Sequence, residues 1–139
     1  MFDWKEIYGS GVADIDVQHK RLFVLMADLY EIASLNDGMD YYDQIKAVFS
    51  ELKKYTVYHF EYEEKLMQDN HYNPLEFKIH KLEHGSFINK MTKIEKEDLD
   101  KRQDEILQEA IIFTANWIEQ HILGTDRKYK EFLNSCGVY

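Results

Sequence analysis

The chain has 139 residues, 45% of them apolar and 14% aromatic, which is enough for one domain with a substantial core. A formal net charge of −9 with no lysine or arginine cluster argues against nucleic acid or an anionic membrane surface as partner. No run of about 18 apolar residues is available to span a bilayer, the first residues lack the order of a signal peptide, and the single cysteine, Cys136, excludes an intramolecular disulfide and a cysteine-built metal site. A cytoplasmic protein, with residues 1–139 forming one domain, is the expectation.

Residues 1–15, with Trp4, Tyr8, Gly9, Gly11 and Val12, read as an irregular arm with enough aromatic surface to pack against the body. A first helix is predicted from Asp16, a candidate N-cap, to about Leu35, where Asn36-Asp37-Gly38 supplies a stop. Its apolar stripe is Leu22, Phe23, Met26, Leu29, Tyr30 and Ala33, and His19 lies on it. The second helix, about Asp40 to Gln68, places Ile45, Val48, Phe49, Leu52, Tyr55, Thr56, His59, Tyr62, Glu63, Leu66 and Met67 on one side. A carboxylate on that face either turns out to water beside Glu61 and Glu64 or, if buried, needs a cation or a full set of donors.

After the turn at Asn70-His71-Tyr72-Asn73, Pro74 suits the first turn of a third helix bearing Phe77, His80, His84, Phe87, Ile88 and Met91 on one face. The charged run Lys93 to Arg102 reads as a solvated helix end and loop. A fourth helix from near Gln103 carries Leu107, Ala110, Phe113, Thr114, Trp117, Ile118 and His121, and is ended or loosened at Gly124. In a straight α-helix His121 and Asp126 would point about 140° apart, so their meeting requires a departure from ideal geometry near Gly124. Four amphipathic helices with short connections predict an all-α, up-down-up-down four-helix bundle.

The inward faces carry an unusual charge of chemistry. Positions four apart share one side of a helix, so His59 with Glu63, and His80 with His84, each aim two donors at one place. Such a foursome alone would suit zinc, manganese or iron. Five of the six histidines (His19, His59, His80, His84 and His121) fall on the four core-facing stripes, with Glu63 and Asp126 beside them and only His71 in a turn. Seven donors exceed what one metal can use, whereas two metals bridged by two carboxylates can use all of them. Zinc hydrolase sites usually supply more carboxylate, and the Glu-x-x-His pairs of ferritin-like di-iron oxidases are absent, so the composition points to iron.

Over nearly its whole length the chain resembles the hemerythrins, specifically the single-domain bacterial kind. The resemblance rests on Trp4, Tyr8 and Gly11; Ile15-Asp16-Val17-Gln18-His19-Lys20; His59-Phe60-Glu61-Tyr62-Glu63-Glu64-Lys65-Leu66-Met67; Tyr72 with Pro74; His80-x-x-x-His84-x-x-Phe87; and Trp117-Ile118-Glu119-Gln120-His121 through Asp126 to Tyr129. It implies two non-haem iron ions with a bridging oxo or hydroxo group. His80, His84 and His121 would bind one iron and His19 and His59 the other, with Glu63 and Asp126 bridging. Counting the bridges, the first iron then reaches six ligands and the second five, which leaves one position for O2. The implied function is reversible O2 binding for storage, transport or scavenging, with no catalytic residue. The alternatives are a di-iron enzyme reducing peroxide or nitric oxide, and an O2 or redox sensor acting through a partner. Trp117 and Ile118 are expected to pack and to line the pocket, Tyr58 and Tyr62 to be surface groups beside His59, and Cys136 to be idle.

Overall fold

The structure is a computed structural model that describes residues 4–35, 41–96 and 99–139. Four long helices form an up-down-up-down bundle: α1 (Ala13–Ala33), α2 (Tyr42–Asp69), α3 (Pro74–Glu95) and α4 (Leu99–Gln120). Beyond α4 come a π-helical segment (His121–Thr125), a 3-10 turn (Asp126–Tyr129) and a short α5 (Lys130–Ser135). No strand occurs among the described residues, and none of their helices is long and apolar enough to cross a membrane.

Helix α1 begins before Asp16. Its N-cap is Val12, and Asp14 and Asp16 lie in the first turn, where they complement the positive end of the helix dipole. Asp16 instead ties down the arm, accepting hydrogen bonds from Ser10 N–H and Ser10 Oγ, both at 2.8 Å. Trp4 and Tyr8 complete the attachment by packing on Phe23, at centroid distances of 5.7 and 5.2 Å. Gly11, at φ +81°, makes the turn between arm and helix, in a backbone region that other residues enter only with strain. The predicted stop at Asn36-Asp37-Gly38 lies outside the described residues.

Between α2 and α3 the chain turns through His71, which holds a left-handed φ of 57°. Asn73 then caps α3, its Oδ1 accepting from Leu75 N–H and Glu76 N–H at 3.0 and 3.1 Å, with Pro74 where a missing N–H is harmless. Helix α4 starts at Leu99, earlier than predicted, and α3 runs on to Glu95, so most of the charged run is helical.

Two apolar clusters result. The larger includes Leu22, Met26, Leu29, Phe49, Leu52, Phe87, Met91 and Ile118, and the smaller gathers Val12, Ile15, Met67, Tyr72, Tyr129 and Leu133. Phe60 of the larger cluster lies against His84, and Tyr129 of the smaller lies against His80.

Candidate metal centre

The seven residues singled out in the sequence meet in one place. His19 comes from α1, His59 and Glu63 from α2, His80 and His84 from α3, His121 from the start of the π segment and Asp126 from the turn that follows. All are buried, and Glu63 and Asp126 have no exposed surface at all. Of the two sequence alternatives for Glu63, the structure takes the inward one. The backbone departure required between His121 and Asp126 is the π segment itself. In a π-turn the hydrogen bond spans five residues, so a residue five positions on takes the place that four positions on has in an α-helix. Gly124 lies within this turn without a left-handed φ, and a Cβ there would meet nothing within 4 Å, so the glycine is not what permits the geometry.

The two carboxylates divide their oxygens. Glu63 Oε1 lies 2.6 Å from His59 Nε2 and 3.3 Å from His19 Nε2, whereas Oε2 lies 3.1 Å from His80 Nε2 and 3.5 Å from His84 Nε2. Asp126 repeats the pattern, with Oδ2 3.2 Å from His19 Nε2 and Oδ1 2.9 Å from Nε2 of both His80 and His121. Two donor groups follow, Glu63, His80, His84, His121 and Asp126 in one and His19, His59, Glu63 and Asp126 in the other, with the donor atoms of each within 4.8 Å of one another.

Three features fit these groups to cations and not to a hydrogen-bonded core. Both Asp126 oxygens are buried close to histidine nitrogens, yet neither accepts a hydrogen bond of adequate geometry. His84 Nε2 and His121 Nε2 face each other at 3.1 Å. His121 gives its Nδ1–H to Glu83 Oε2 at 2.8 Å, and His59 gives its Nδ1–H to Gln18 Oε1 at 2.6 Å, which turns Nε2 of both rings inward. The donors are imidazole and carboxylate, a set suited to iron.

Protons take over part of the cation's role in the metal-free protein. Burial disfavours charging His19, His80 and His121, but Asp126 and Glu63 outweigh it and raise the first two to about 9 and, with Glu83, the third to about 10. Burial also works against ionising Glu63 and Asp126, and the surrounding imidazoles hold both well below the usual carboxylate range. His59, fully enclosed, is lowered by its desolvation.

Rings seal the site. Phe60 stacks on His84 at 3.8 Å, Trp117 on His121 at 4.3 Å, and Tyr129 lies parallel to His80 at 5.7 Å. Ile118 and Ile122 are buried in the adjoining core. Sequence reasoning assigned no place to Phe60, Glu83 or Thr125. Phe60 falls off the strict α2 stripe, and Glu83 and Thr125 look like surface residues of their helices, so only the three-dimensional packing joins them to the site. Tyr58 is exposed and Tyr62 donates to Asp14, so neither supports His59.

Comparison with known proteins agrees with this architecture. Residues 10–133 match the hemerythrin HHE cation binding domain. A bacteriohemerythrin of Clostridium acetobutylicum is 38% identical over 129 residues, covering 93% of this chain and 98% of that protein. A myohemerythrin of Theromyzon tessulatum is 27% identical over 93% of this chain and 91% of its own length. A solved crystal structure of a leucine-to-phenylalanine mutant superposes with a TM-score of 0.80 at 27% identity, covering 94% of this chain and 95% of the other. The fold and site thus define a four-helix cation-binding protein. The chain belongs to the hemerythrin family.

Proposed function

We propose that this protein binds O2 reversibly at a pair of non-haem irons, with Glu63 and Asp126 shared between them. The observation that carries the reading is the division of oxygens: each carboxylate offers one oxygen to the histidines of each group. His80, His84 and His121 would hold one iron and His19 and His59 the other, with an oxo or hydroxo group completing the bridge. When bound, a di-ferrous pair supplies the two electrons that O2 takes up, and an odd number of histidines leaves one iron a ligand short. Membership of the hemerythrin family and similarity to proteins named bacteriohemerythrin and myohemerythrin support the same reading.

The chain's own residues supply selectivity and reversibility. Gln18 and Glu83 take up the Nδ1–H of His59 and His121, so Nε2 of each ring is the atom aimed at the centre and the one that would bind metal. Phe60, Trp117, Ile118 and Ile122 keep bulk water, and with it protons, away from the site. Withholding protons favours release of O2 over its reduction, which places storage, transport or scavenging ahead of turnover.

The test is an anaerobic titration of the iron-loaded, reduced protein with O2, followed by visible absorption and then evacuation. A colour change that saturates at one O2 per iron pair and reverses under vacuum is expected. Consumption of reductant with continuous release of peroxide or water would replace the carrier reading by the enzymatic one.

A further inference from the structure

We infer that Glu83 is a positioning residue of this centre, a clamp whose single oxygen fixes both the His121 ring and the π-turn that carries it. Glu83 Oε2 accepts from His121 Nδ1–H at 2.8 Å and from Thr125 Oγ–H at 2.6 Å. These donors are the first and last residues of the π segment, so one carboxylate on α3 spans the turn from end to end. The π-turn is the device that brings His121 and Asp126 together, and α-helical hydrogen bonding competes with it at every residue. A tie from a neighbouring helix to both ends selects the π register. The Glu83 side chain is 39% exposed, so its charge keeps contact with water and is not expensive to maintain.

The clamp is also asymmetric across the centre. On the three-histidine side, His121 leans on an anion; on the two-histidine side, His59 leans on the neutral amide of Gln18. An anionic partner makes an imidazole a stronger donor to a metal and favours the higher oxidation state of that metal. Glu83 therefore biases the three-histidine iron toward ferric, leaving the iron with the neutral support as the one whose oxidation state is more easily reversed. This electronic part rests on the reading of the site as a di-iron centre; the clamp on the π-turn does not.

Three variants separate the parts: Glu83→Ala, Glu83→Gln and Thr125→Val, with Glu61→Gln as a control for loss of an exposed acid elsewhere. In metal-free protein, amide hydrogen exchange across residues 121–125 should quicken in Glu83→Ala and, less, in Thr125→Val. With iron, Glu83→Ala should lose metal to a chelator with an affinity about 10- to 100-fold weaker than the parent. Glu83→Gln, which can still accept both hydrogen bonds, should keep more of its iron but show a more positive midpoint potential, a shift absent in Glu61→Gln. Unchanged exchange in Glu83→Ala overturns the clamp whatever the iron does. Parent-like potential and chelator resistance in both Glu83 variants overturn the electronic role. A parent chain that takes up no iron pair would instead overturn the di-iron reading, with the exchange result still deciding the clamp.

Discussion

Leu52 and Glu63 lie about three turns apart on α2, both with no exposed surface, and burial acts on them with opposite sign. Leu52 joins Met26, Leu29 and Met91 in an apolar layer, where removal from water is itself the stabilising term. Glu63 stands with Asp126 among five imidazoles, where burial is unfavourable unless positive charge accompanies the two carboxylates. One half of the bundle is thus stable by composition, and the other is stable on condition that a cation or protons are present.

The largest effect should come from removing a shared carboxylate. Asp126→Ala should hold less than one iron per chain and lose about 3–5 kcal/mol, because the imidazoles it faces keep their burial without their counter-charge. His71→Ala, altering the one histidine outside the site, should retain two irons; equal iron content in both variants would erase the distinction between the layers. Leu52→Ala should cost about 2–5 kcal/mol through the cavity it leaves, while the folded fraction keeps its full metal content. Metal analysis alongside chemical denaturation checks both, and loss of iron in Leu52→Ala would show that the layers are coupled.

The conditional layer should also reveal itself through pH. In metal-free protein His19 and His80 titrate near 9 and His121 near 10, above their ordinary 6.5. Their stabilisation is complete below that ordinary value and disappears as pH rises through 9 to 10. Glu63 and Asp126, held below their ordinary 4.5 and 3.8, stabilise above those values and cease to do so as pH falls through their depressed range. His59 opposes the other histidines because its burial favours the neutral ring. Metal-free protein should therefore melt highest in mildly acidic solution and markedly lower near pH 10. With iron the acid side changes, since protons compete with metal for the same nitrogens and metal is lost as pH falls. A metal-free melting temperature equal at pH 6 and pH 10 would contradict this.

The glycines give the finest comparison. Gly11→Ala should cost about 1–3 kcal/mol, from its positive φ and from a Cβ placed 2.6 Å from the Lys130 side chain. Gly124→Ala, inside the π-turn but with open space at Cβ, should change stability by no more than about 1 kcal/mol and leave iron content intact. A large loss in the second variant would mean that glycine flexibility, and not the packing of α3 against the turn, maintains the site.

The pattern of legibility follows from the same physics. Helical spacing exposes His59 with Glu63 and His80 with His84 because one α-helical face carries both members of each pair. The approach of His121 to Asp126 was readable only as a required distortion near Gly124, since periodicity registers a departure from the α-helix without specifying a π-turn. Asp16 looks like an N-cap because the residue type suits one, yet the helix starts at Ala13 and the Asp16 carboxylate serves Ser10 on the arm instead. Phe60, Glu83 and Thr125 carried no local signal, because each reaches the site across a helix–helix contact and not along its own stripe.

The central claim, that Glu63 and Asp126 each serve two irons, is tested most directly by the magnetic behaviour of the fully loaded, oxidised protein. Two irons per chain with spins coupled through their shared ligands are the predicted result. A single iron per chain, or two irons that behave as magnetically independent ions, would contradict it.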